Sequence, residues 1–81
     1  DIPNAENTMI DNQIKKDLVK IISELPKDQK NVIMMRLYKN MSFKEIADIS
    51  GVSINTALGR MRYAILNIRK LIEQHQIVLS A

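Results

Sequence analysis

Cysteine is absent from the 81 residues, which excludes a disulfide framework and any thiolate metal site. Histidine occurs once, at His75, so a metal centre built on several imidazoles is excluded too. A Ser-His-acid triad would have to recruit that one residue from the end of the chain. Tryptophan is missing, and Tyr38, Phe43 and Tyr63 are the only aromatics. Two glycines and two prolines are too few for an all-β fold with its many tight turns. Gly51 and Gly59 stand far apart, which leaves no glycine-rich phosphate loop. No apolar run approaches the ~20 residues that cross a bilayer. The first residue is Asp and no signal-peptide pattern follows, so a piece of a longer, cytoplasmic chain is expected. Enzymatic activity, a metal, a cofactor and a membrane partner are all unexpected from this inventory. Carboxylate pairs such as Glu45 and Asp48 belong to an exposed helix surface.

What is present is ordinary globular composition, 46% apolar and 26% charged, in a length that fits one domain. The net charge of +3 is unevenly spread. Residues 1–28 carry six acids against four lysines, whereas residues 29–81 carry eight bases against Glu45, Asp48 and Glu73. Between Asp48 and Glu73 there are four bases and no acid. A one-signed stretch of this kind favours a polyanion.

Hydrophobic spacing predicts four helices. Residues 1–7, with Pro3 and two Asn, read as a linker or tail, and residues 8–81 as the folded domain. From Thr8, a candidate cap, Ile10, Ile14, Leu18, Ile21, Ile22 and Leu25 recur at three and four, until Pro26 stops the helix. A second helix over about residues 28–39 turns Val32, Ile33, Met35 and Tyr38 inward, and Asn40 suits a left-handed end. Ser42 and Glu45 form a Ser-x-x-Glu capping box ahead of Ile46, Ala47 and Ile49, and this short third helix ends at Ser50-Gly51. Ser53 caps a fourth helix that starts at Ile54 and runs to about residue 73. Its buried stripe is Ala57, Met61, Ala64, Ile65, Ile68, Leu71 and Ile72. A short helix, a tight turn with Gly and a longer helix make a helix-turn-helix. The predicted class is therefore an all-α, four-helix domain with a C-terminal helix-turn-helix.

At roughly 100° per residue, the face opposite that stripe centres on Gly59. Around it lie Asn55, Arg62, Tyr63, Leu66 and Lys70, with Thr56, Leu58 and Arg69 at the edges. Arg bonds guanine bidentately, Asn does the same for adenine, and an aliphatic group touches the thymine methyl. A mid-helix Gly costs about 1 kcal/mol relative to Ala, and its bare backbone allows close approach to a base or phosphate. Lys44, Arg36 and Lys39 are candidate phosphate contacts, Lys44 aided by a helix N-terminus. Arg60 points to the flank near the third helix, where Glu45 or Asp48 is its expected partner in a structural ion pair.

Leu25-Pro26, Arg36, the run Met41-Ser42-Phe43-Lys44-Glu45-Ile46-Ala47 and the run from Val52 to Ala64 together resemble a known pattern. It is region 4, the C-terminal helix-turn-helix of bacterial RNA polymerase sigma factors, especially the small extracytoplasmic-function type. The resemblance covers about residues 21–71. It implies that the fourth helix enters the major groove of the minus-35 promoter element and that the domain docks on the flap of the polymerase β subunit. By matching position, Leu58, Gly59, Arg62 and Tyr63 would face base edges or the nearby backbone, and Arg36 and Thr56 would meet phosphate. Leu58 stands where the family usually has Lys or Arg, and Gly59 where it usually has Ser. Two polar contacts are thus missing, which shifts weight to Asn55 and Arg62.

Two other functions fit parts of the sequence. A response-regulator helix-turn-helix would dimerise on DNA, but the Leu-Pro turn and the long helix before it favour the sigma pattern. A protein-docking module, binding polymerase or an anti-sigma protein with little DNA contact, would explain Leu58 and Leu66 on an open side.

Overall fold

The computed structural model of the chain describes the backbone of residues 5–75 and the side chains from residue 12 onward. These residues form four helices and no strand: α1 (Ala5–Ser23), α2 (Lys27–Leu37), α3 (Phe43–Ser50) and α4 (Ile54–His75). The all-α, four-helix class is as expected, with α3 and α4 as the helix-turn-helix. α1 begins at Ala5, so residues 5–7, expected in the linker, form its first turn. Residues 1–4, the side chains of Thr8 and Ile10, and the tail at 76–81 lie outside the described residues.

Pro26 does not end α1, which stops at Ser23; Glu24 and Leu25 donate back to the Ile21 and Ile22 carbonyls at 3.1 Å. Pro26 instead starts α2. Its φ of −54° and ψ of 149° place it at the N-cap, and its carbonyl accepts from Lys30 at 2.9 Å. The ring fixes such a φ, and a helix start has no need of the missing N–H. At the other end α2 stops at Leu37, short of the expected Lys39, and Asn40 takes the left-handed conformation at φ 51°. The Met41 N–H then donates to the Met35 carbonyl at 3.1 Å, while Arg36 Nη1 donates to the Met41 carbonyl at 2.9 Å. Both backbone groups of Met41 are therefore tied to the last turns of α2.

Local chemistry delimits α3 sharply. Ser42 Oγ accepts from the Glu45 N–H and Glu45 Oε1 accepts from the Ser42 N–H, each at 3.1 Å, which completes the capping box. Gly51 follows the helix at φ 69°, donating to the Asp48 carbonyl at 3.3 Å, and Val52 donates to Ala47 at 3.0 Å. That pair of bonds is a Schellman ending, which needs a left-handed residue after the last turn. Ser53 Oγ accepts from the Thr56 N–H at 3.1 Å and so caps α4, as its position predicts.

α4 packs against each of the other three helices. One core cluster joins Ile22, Leu25, Ile33 and Ala64; the other joins Val32, Ile46, Ala47 and Ala57. Met61 touches both. The expected inward residues Tyr38 and Ile65 are exposed, and so is Ile49, at 70%. Tyr38 follows the last residue of α2, outside the helix proper. Ile49 stands roughly 110° around α3 from the midpoint of Ile46 and Ala47, and Ile65 roughly 80° from the line of Ala57, Ala64 and Ile68.

The two glycines sit in equally open surroundings, since a Cβ added at either meets nothing within 4 Å. Their backbones decide the response to Ala. Gly51→Ala should lower unfolding stability by about 1–2 kcal/mol, because an L-residue is strained at positive φ. Gly59→Ala should raise it by about 1 kcal/mol through helix propensity alone. Urea unfolding followed by circular dichroism checks both signs.

Candidate nucleic-acid interface

The Ser53 cap and the buried Ala57 and Ala64 fix which side of α4 faces outward. Asn55, Leu58, Arg62 and Tyr63 are exposed there, with Tyr63 at 62% and Leu58 at 44%. Gly59 is half-buried by neighbouring atoms, yet open space lies where its side chain would be. All five candidate base-facing residues thus share the solvent side of the first three turns. Leu66 extends the same side at 43% exposure, and Arg69 and Lys70 lie exposed beyond it.

The candidate phosphate contacts divide between two helix starts and one helix end. Thr56 stands in the first turn of α4, where its Oγ1 accepts from Ser53 Oγ at 3.0 Å. Lys44 is exposed in the first turn of α3. Backbone N–H groups and the helix dipole favour anions at both places. Lys39 is exposed just past α2. Arg36 has a further role that its sequence position does not announce. Its guanidinium holds the Met41 carbonyl and lies over the Phe43 ring, 5.0 Å from the centroid. A guanidinium carries five donors, so its other N–H groups are left for a phosphate.

The ion pair expected between Arg60 and Glu45 does not form. Arg60 Nη2 lies 3.7 Å from Asp28 Oδ2 instead. Glu45 is held by the Ser42 backbone N–H in the capping box, which keeps its carboxylate at the start of α3. Two more polar contacts join α4 to the α1–α2 corner. Asn67 Nδ2 donates to Gln29 Oε1 at 2.7 Å, and His75 Nε2 lies 2.9 Å from Glu24 Oε2. Neither left a sequence signal, because the partners are 38 and 51 residues apart.

A second surface also escaped the sequence reading. Between α1 and α2 lies a largely apolar groove of about 360 Å³, lined by Val19, Ile22, Ser23, Lys30, Met34 and Tyr38. Val19 is 56% exposed and lies off the buried stripe of α1, which is the signal that could have marked it. Among the described residues no cluster of His, Cys, Asp or Glu could hold a metal ion, and no helix is long and apolar enough to cross a membrane.

A tightly capped α3, a left-handed glycine and an α4 whose outer side carries bases and no acid before Glu73 define a helix-turn-helix domain of the kind found in transcription factors. The family of sigma-70, region 4, matches residues 15–62, more than half of the chain, and the chain belongs to that family. This is a transcription-factor domain and not a known enzyme family, and membership sets aside the response-regulator alternative. The chain is also similar to an ECF RNA polymerase sigma-E factor of Haemophilus influenzae, 29% identical over 73 residues. That match covers 90% of this chain and 36% of the relative, so the chain spans about a third of the length of the protein it resembles.

Glu45 gives the site a pH signature. The Ser42 backbone N–H first, and the Ser42 side chain second, hold its carboxyl below the ordinary glutamate value. A lowered native value means that the contribution is present above the unfolded-state value and is lost as pH falls through the native one. Glu45→Gln keeps an acceptor for the Ser42 N–H, so it should stay folded at neutral pH while its stability varies less across that acid range. Thermal melts of both proteins through the carboxylate range check this.

Proposed function

We propose that this chain recognises the minus-35 element of promoter DNA during transcription initiation, as part of the RNA polymerase holoenzyme, in the cytoplasm. The observation that carries the reading is the outer side of α4. Asn55, Leu58, Gly59, Arg62 and Tyr63 are presented together on a helix that has no acid from its start to Glu73. α4 lies in the major groove with those residues at base edges. Arg36, Lys39, Lys44 and Thr56 hold phosphates on either side. Phosphate contacts supply most of the affinity and its salt dependence, while base contacts choose the site.

Docking on the polymerase falls to another face. The α1–α2 groove contains no residue of α3 or α4, so a segment of the β flap seated there leaves the reading helix free. An anti-sigma protein occupying the same groove would compete with polymerase. The same groove favours the second reading, a protein-docking module with little DNA contact, because its exposed Val19, Met34 and Tyr38 need a partner to leave water.

Selection of bound duplexes from a random pool at low salt tests the first reading against the second. An enriched short motif is expected. Arg62→Ala should lower discrimination for that motif by roughly tenfold, the value of one bidentate base contact. Lys44→Ala should instead weaken all duplexes alike and reduce the slope of affinity against salt by about one. Equal losses on selected and scrambled duplexes for both variants would refute this division of roles. No retention of any duplex, with tight polymerase binding lost in Met34→Ala, would establish the docking module.

A further inference from the structure

Leu58 and Leu66 are the two leucines on the outer side of α4 that the polar account leaves without work, and Leu58 is the one beside Arg62 in the first three turns. It is 44% exposed, belongs to neither core cluster and can make no hydrogen bond. It stands one turn before Arg62, and side chains at that spacing share a face with their Cβ atoms about 6 Å apart. Gly59 follows it with open space where a side chain would lie, so the α4 backbone can approach a groove floor more closely there. A short aliphatic side chain beside that notch reaches as deep as a longer one would elsewhere.

In the major groove the apolar group that projects from a base edge is the 5-methyl of thymine. We infer that Leu58 reads a thymine methyl in the base step beside the pair read by Arg62. This rests on the promoter-recognition reading and adds one specified base to it. The selection works in both directions. Leu58 against the methyl removes apolar surface from water. Leu58 against the amino group of cytosine or the O6 of guanine strips water from a polar atom and offers nothing in return. The basic flanks Arg62, Arg69 and Lys70, with no acid between Asp48 and Glu73, hold this apolar patch against a polyanion and not against another protein's hydrophobic face.

Deoxyuridine differs from thymidine by that methyl alone, which makes the test direct. The duplex recovered from the random pool is resynthesised with uracil at each thymine in turn, and affinities of the chain and of Leu58→Ala are compared. At one position uracil should weaken the unaltered chain about fourfold, the worth of one buried methyl group. Leu58→Ala, an exposed change that favours the helix, should bind thymine and uracil equally there. An enriched motif that lacks thymine, or one bound equally with uracil throughout, would overturn the inference and leave promoter recognition standing. Equal sensitivity to uracil in both proteins would assign the methyl to another residue. Failure to retain any duplex would overturn both readings.

Discussion

The close crossing of α3 on α4 is the contact on which the rest of the molecule depends. Ala47 and Ala57 are 2% and 0% exposed and lie in one cluster with Val32 and Ile46. Two methyl groups at the crossing let the helices approach closely, and larger side chains there would overpack a filled core. Everything that fixes α3 serves this contact. The Ser42–Glu45 box sets where the helix starts, and Gly51 sets how sharply the chain leaves it. The Arg36 guanidinium, bonded to Met41 and stacked on Phe43, braces the turn that delivers α3 to the site.

Nine hydrophobic residues are buried among those described, and α4, a helix of 22 residues, packs against the other three. Met61 couples the two clusters, so the first turns of α4 and its distal half share one packed core. Three polar contacts add direction. Arg60 to Asp28, Asn67 to Gln29 and His75 to Glu24 follow one another along α4 and all reach the α1–α2 corner. Exposed pairs contribute little energy individually. Their placement along one edge adds to the buried Ala57 and Ala64 in opposing rotation of α4 about its axis.

The parts of this fold legible in sequence were those written in local chemistry. Ser42 with Glu45, Asn40, Gly51 and Ser53 each require particular residue types within a few positions, and the structure places them as caps and left-handed turns. Periodicity located the helices but misjudged Ile65 and Tyr38, since an apolar residue at the edge of a stripe carries no mark of whether a neighbour exists. Arg60 was paired with the acids of the third helix, towards which its flank turns, whereas its partner came from the start of α2, 32 positions away. Pro26 was a stop signal in sequence and a start signal in space, because the same missing N–H suits both. For the interface, helical geometry placed the five outward residues of α4 together. The α1–α2 groove stayed hidden because it is made by two helices, each of which contributes only a few unremarkable aliphatic residues.

On α4 the residues that hold the fold and those that face outward interleave without sharing a position. Ala57, Met61, Ala64, Ile68 and Leu71 pack inward; Asn55, Leu58, Gly59, Arg62 and Tyr63 look out. The two sets are therefore free to drift independently. A lineage can exchange its outward alphabet at no cost beyond helix propensity while the buried stripe stays unchanged, and duplicated copies can part ways on that face without first passing through an unfolded ancestor.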